Sequence, residues 1–136
     1  VNIVLDTNVL VSGLLNPHGP PGQIVLLVAA GDITLCYDAR IIDEYRRVLH
    51  YEKFQFDSDN AENLIDEIKA FGMPVAARPL GMTLPDPDDE KFLEVAITGQ
   101  VSCLVTGNIK HYQASTRLLV KIIKPADMLL LLGKKQ

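Results

Sequence analysis

Val1-Asn2-Ile3-Val4-Leu5-Asp6-Thr7-Asn8 is a short apolar run ended by a carboxylate. A run of that length before helical spacing is the pattern of a buried parallel strand. Such a strand delivers Asp6 to the carboxyl edge of a sheet, where open α/β sheets bind their ligands. Working outward, Val9 to Leu15 is expected as a short helix, Asn16 to Gly22 as a Pro/Gly break, and Gln23 to Ala30 as a resumed helix ended by Gly31. Ile33 to Tyr37 reads as a second strand.

Asp38 is placed to cap a helix whose apolar residues Ile41, Ile42, Tyr45, Val48 and Leu49 share one face. Ser58 or Asp59 opens the next helix, with Ala61, Leu64, Ile65 and Ile68 inward and Gly72 closing it. A weak strand over Met73 to Ala77 leads into the loop Pro79 to Pro87. Asp88 is then expected to cap a helix carrying Phe92, Leu93, Ala96 and Ile97, stopped at Gly99. Val101 to Thr106 and Leu118 to Ile123 read as strands, and Pro125 starts a final helix through Leu132. Strands alternating with helices at this spacing predict a central parallel sheet covered on both faces, a three-layer α/β/α sandwich. The 136 residues form a single domain, 1–136, with no repeat, linker or low-complexity segment.

Composition removes several classes of function. Cys36 and Cys103 lie inside apolar runs, as small core residues rather than a disulfide pair, in keeping with a reducing cytoplasm. No apolar span is long enough for a membrane and no secretory leader is evident. A net charge of −4 argues against coating nucleic acid by bulk electrostatics. The distribution is uneven: Asp57 to Glu94 holds ten acids against Lys69, Arg78 and Lys91, whereas Gly107 onward holds six Lys and Arg against Asp127 alone. An acidic centre with a basic flank suits a metal-dependent enzyme acting on a polyanion, although Lys134 and Lys135 read simply as a solvated tail.

The chemistry-bearing residues fall at corresponding places: Asp6 and Asn8 after the first strand, Glu44 in the helix after the second, Asp89 at a helix start, and Thr106 and Asn108 after the Val101 strand. A parallel sheet gathers such carboxyl-edge positions. Asp89 stands one turn before Phe92 and Leu93 and is directed along the buried stripe, where an acid needs a partner. Asp86, Asp88 and Glu90 have an ordinary explanation as first-turn acids favoured by the helix dipole. Asp6 has one too, as a helix cap, and Glu44 another, as a surface residue beside Arg46 and Arg47. Three carboxylates in one cleft nevertheless repel one another unless a cation sits among them, and no Lys or Arg accompanies each acid in sequence. One or two hard ions, Mg²⁺ or Mn²⁺, held by Asp6, Glu44 and Asp89 resolve the conflict. Zinc is disfavoured, because His18, His50 and His111 are scattered. A carboxylate-held ion with open positions suits phosphodiester hydrolysis, with Thr106, Asn108 and Lys110 available to position the phosphate. The Thr-Gly-Asn run also makes an ordinary turn.

Four stretches in this order resemble the PIN-domain nucleases: Asp6-Thr7-Asn8-Val9-Leu10-Val11-Ser12-Gly13, Asp43-Glu44-Tyr45-Arg46-Arg47-Val48-Leu49, Asp86-Pro87-Asp88-Asp89-Glu90-Lys91-Phe92-Leu93-Glu94, and Leu104-Val105-Thr106-Gly107-Asn108-Ile109-Lys110-His111-Tyr112. Within that family the chain is similar to the prokaryotic (VapC-like) toxins of toxin–antitoxin pairs. The resemblance implies a Mg²⁺- or Mn²⁺-dependent ribonuclease with Asp6, Glu44 and Asp89 as acidic ligands and Asn8 and Thr106 supporting them. It also implies an RNA substrate, a homodimer and a small antitoxin partner. Many PIN domains carry an aspartate where this chain has Asn108, so the resemblance implies a weaker second metal here. Two alternatives are a catalytically silent PIN fold that only binds RNA or an antitoxin, and a haloacid-dehalogenase-type phosphatase. The phosphatase would need a second Asp where this chain has Asn8.

Overall fold

The computed structural model describes residues 1–136 except 82, 113–115, 117–118 and 135–136, together with the side chain of residue 134. Among the described residues five strands form one sheet: β1 (Asn2–Leu5), β2 (Thr34–Tyr37), β3 (Met73–Pro74), β4 (Cys103–Val105) and β5 (Ile122–Ile123). Every pairing is parallel and the order is β3-β2-β1-β4-β5. The helices are α1 (Thr7–Leu15), α2 (Pro20–Ala29), α3 (Ala39–Leu49), α4 (Ser58–Phe71), α5 (Glu90–Thr98) and α6 (Pro125–Lys134). The chain steps outward from β1 through β2 to β3 and then crosses back to β4. With right-handed crossovers, those steps put α1 to α4 on one face and α5 on the other. In agreement, α5 packs on β1, β2 and β4 while α2 packs on α1, α4 and α6. The architecture is the expected α/β sandwich.

Ile3, Val4, Leu5, Leu35, Leu104 and Val105 are fully buried, as strands covered on both faces must be. Cys36 and Cys103 are buried thiols among them, and Cys103 Sγ donates to Met128 Sδ at 3.3 Å. Among the described residues no helix is long and apolar enough to cross a membrane.

Several boundaries differ from the sequence reading, each for a local reason. Helix α1 starts at Thr7 rather than Val9, because Asp6 itself caps it and accepts from the Asn8 N–H at 3.5 Å. Helix α2 starts at Pro20 rather than Gln23: two prolines occupy its first positions, where the missing N–H groups cost nothing. The Pro-rich stretch is therefore a tight corner between two close helices. A Cβ on Gly22 would stand 2.3 Å from the Pro17 carbonyl oxygen.

Asp57, not Ser58 or Asp59, caps α4, accepting from the Asn60 N–H at 2.9 Å. Asp38 caps α3 as expected. Asp88 does not cap α5. Asp86 instead accepts from the Asp88 N–H at 3.0 Å and opens a single 3-10 turn, Pro87–Asp89, ahead of the helix. The weak strand over 73–77 shrinks to two exposed edge residues. The Val101 strand is confined to Cys103–Val105, and α6 runs two residues past Leu132. Of the last predicted strand only Ile122–Ile123 pairs, and its expected start at 118 lies outside the described residues.

A candidate active site at the β1/β4 switch point

Strand order reverses at β1, whose neighbours are β2 and β4, and the crevice beyond β1 and β4 is where doubly wound sheets place ligands. Register brings Leu5 beside Val105, and the ladder continues with the Asp6 N–H donating to the Val105 carbonyl at 2.9 Å. Asp6 and Thr106 therefore leave adjacent strands side by side. Thr106 Oγ1 donates to Asp6 Oδ2 at 3.0 Å and accepts from the Asn108 N–H at 3.1 Å. Asn8 Oδ1 accepts from the Gly107 N–H at 3.1 Å and ties the turn after β4 to the start of α1. These four polar residues, predicted as site residues, form one hydrogen-bonded unit around Asp6.

Asp6 is only 6 % exposed. Burial raises its pKa, the Thr106 hydroxyl, the Asn8 N–H and the Tyr112 hydroxyl counteract, and the charge of Glu44 raises it further. Asp89 is 7 % exposed. Its pKa is pushed up to about 6, first by burial, then by the charges of Asp6 and Asp86, against His111 and Lys91. Asp89 Oδ2 is buried with no hydrogen-bond partner among the described residues, and His111 Nδ1 stands 3.3 Å away outside hydrogen-bonding geometry. A buried carboxylate oxygen beside a second carboxylate is thus left without a hydrogen-bond donor.

Glu44 belongs to the same charged neighbourhood but is differently held. Thr7 Oγ1 donates a short hydrogen bond to Glu44 Oε2, and Lys91 Nζ lies 2.7 Å from Glu44 Oε1. Arg47 adds a longer ion pair at 3.8 Å. Glu44 opens onto a hollow of about 350 Å³ lined also by Arg40, Arg47, Lys91 and Glu94. On the other flank Asn108, Lys110 and Lys124 line a second hollow of about 490 Å³, and Asn108 Nδ2 meets His111 Nε2 at 2.7 Å.

Among the described residues, no three His, Cys, Asp or Glu side chains stand close enough together to hold a metal ion. The donors nonetheless fit a hard cation: Asp6 and Asp89 offer carboxylate oxygens, one of them without a hydrogen bond, and Glu44 is engaged by Thr7 and Lys91. The sequence reading missed three participants. Thr7 was given no role, and Lys91 was counted only among the three basic residues of the acidic stretch. Tyr112, whose hydroxyl donates to Asp6 Oδ2 at 3.2 Å, lies beyond the strand whose end carries the other groups. A Lys two residues from Asp89 was a visible cue for Lys91, but nothing in the spacing turned it toward Glu44.

An uncharacterized protein of Methanocaldococcus jannaschii, MJ1680, is 29% identical over 139 residues, spanning 95% of this chain and 90% of that one. No solved structure matches the chain. The PIN domain family matches residues 2–110, a segment that carries β1 to β4 and the site groups described above except His111, Tyr112 and Lys124. This chain belongs to the PIN domain family.

Proposed function

We propose that the protein is a Mg²⁺- or Mn²⁺-dependent endoribonuclease that hydrolyses RNA phosphodiester bonds. The observation that carries this reading is the buried oxygen of Asp89, without a hydrogen-bond donor among the described residues, beside Asp6, two carboxyls whose charged forms burial disfavours. Family membership supports the nuclease class.

Asp6 and Asp89 are the residues that would hold the ion. When bound, a divalent ion supplies a water of lowered pKa and neutralises charge on the phosphodiester. Thr106 and Tyr112 fix the Asp6 carboxylate in one rotamer by donating to the same oxygen, leaving Oδ1 facing the α1 terminus and its Asn8 N–H. Asn8 in turn holds the Gly107 backbone, so that Asn108 is presented at the edge of the cleft. Lys110 and Lys124 beside Asn108, and Arg47 beside Glu44, supply cations on either flank for a phosphate backbone, with the acidic centre between them. This placement reconciles a chain of net charge −4 with a polyanionic substrate.

The toxin role extends the same reading, with a small antitoxin as partner, a homodimer as the assembly and the cytoplasm as the compartment. The test is cleavage of a single-stranded RNA with Mg²⁺ or Mn²⁺. Asp6→Asn and Asp89→Asn should each abolish metal-dependent cleavage, and undiminished cleavage in both variants would overturn the assignment.

A further inference from the structure

The two sides of the cleft are not equivalent. On the Asp6–Asp89 side a buried oxygen has no hydrogen-bond partner among the described residues, only His111 Nδ1 at 3.3 Å, whereas on the Glu44 side both carboxylate oxygens are engaged, Oε2 by Thr7 and Oε1 by Lys91. Lys91 is unusually fixed for a lysine. Its side chain is 12 % exposed, its ammonium donates to the Asp88 carbonyl at 2.5 Å, and it stands 5.0 Å from the centre of the Phe92 ring. Lysines are seldom buried unless paired, and holding this long side chain in one rotamer costs entropy that the ion pair and the cation–π contact offset. The ammonium also acts on Asp89, lowering its proton affinity.

We propose that Lys91 is a built-in counter-cation that occupies the Glu44 side of the cleft, so that the protein takes one divalent ion, at Asp6 and Asp89, with the lysine ammonium in place of a second. The inference rests on the metal-nuclease reading. It makes Glu44 a positioning residue for Lys91 rather than a ligand of the single ion. Lys91, held in place by Glu44, then presents a fixed positive charge in the cleft without a second ion being recruited.

Mn²⁺ binding to the RNA-free protein, followed by calorimetry and by the paramagnetic resonance of free Mn²⁺, separates the possibilities without any activity readout. Wild type should bind one ion per chain. Lys91→Met should bind a second ion, or bind the first at least about tenfold more tightly, because a unit positive charge has left the cleft. Lys91→Arg should stay at one ion. Glu44→Gln should retain the single ion, weakened by no more than about tenfold, because it removes one unit of nearby negative charge but no direct oxygen ligand. Asp89→Asn should lose it. Two ions in wild type, or loss of binding in Glu44→Gln, would overturn the proposal while leaving a metal-dependent enzyme intact. Should Lys91→Met fail to fold, Lys91→Arg and Glu44→Gln still decide it. If Asp6→Asn and Asp89→Asn bind Mn²⁺ as wild type does, or if no form binds, the metal-nuclease reading falls and this inference with it.

Discussion

Replacing Asp89 by Asn should stabilise the metal-free protein near neutral pH, and by an amount that depends on pH. Burial and the neighbouring acids raise the Asp89 pKa from an ordinary 3.8 to about 6 in the folded state. A raised carboxyl pKa means that the charged form is disfavoured on folding. The cost is full above pH 6, shrinks as the pH falls toward 3.8, and vanishes below that, where both states hold the proton. The displacement corresponds to about 3 kcal/mol at full value, and about 1–2 kcal/mol once screening at the cleft mouth is allowed for. Asn keeps the shape and removes the charge. In paired thermal melts between pH 4 and 8, Asp89→Asn should therefore melt higher than wild type at pH 7.5 by about 3–8 °C, with the gap closing toward pH 4. Other carboxylates titrate in the same window, but they are common to both proteins and cancel in the difference. Millimolar Mg²⁺ should narrow the gap by raising the wild type alone, because an ion that binds only the folded state stabilises it. A gap that does not change with pH, or a variant less stable than wild type at pH 7.5, would refute the reasoning.

Two further outcomes follow from the hydrogen bonds and the close contacts. Thr106→Val removes a donor that favours charged Asp6, so the Asp6 pKa should climb further and the acid limb of the cleavage pH profile should move to higher pH; an unmoved limb would show that Thr106 does not tune Asp6. Gly22→Ala places a methyl group against the Pro17 carbonyl, which backbone cannot yield cheaply, and should cost about 1–3 kcal/mol in urea unfolding; a neutral result would mean that the α1–α2 corner is looser than drawn.

The legible part of the site was the part generated by strand ends. Asp6 and Thr106 could be placed together because each immediately follows a strand and the two strands are parallel. The inward direction of Asp89 followed from the apolar stripe of Phe92 and Leu93, and the residue is indeed buried. Caps and strand lengths were less legible: Asp86, Asp88, Asp57, Ser58 and Asp59 are near-equivalent candidates, and which one turns toward the helix depends on backbone angles that residue type does not set. The short edge strands β3 and β5 shrank because strand length is decided by how much of a neighbour is available to pair.

By itself the sequence determined the alternation of buried strands and amphipathic helices, and hence the parallel sandwich and the edge at which acids collect. Hydrophobic periodicity and the handedness of crossovers are local rules that require no knowledge of distant neighbours. Only the tertiary structure decided how those acids are neutralised: Thr7 and Lys91 on Glu44, Thr106 and Tyr112 on Asp6, and a misaligned His111 beside Asp89 Oδ2, which has no hydrogen-bond donor among the described residues. Charge pairing acts over a few ångströms across elements far apart in the chain, so its outcome rests on the packing of α1, α3 and α5 at the sheet's end rather than on any spacing along the sequence.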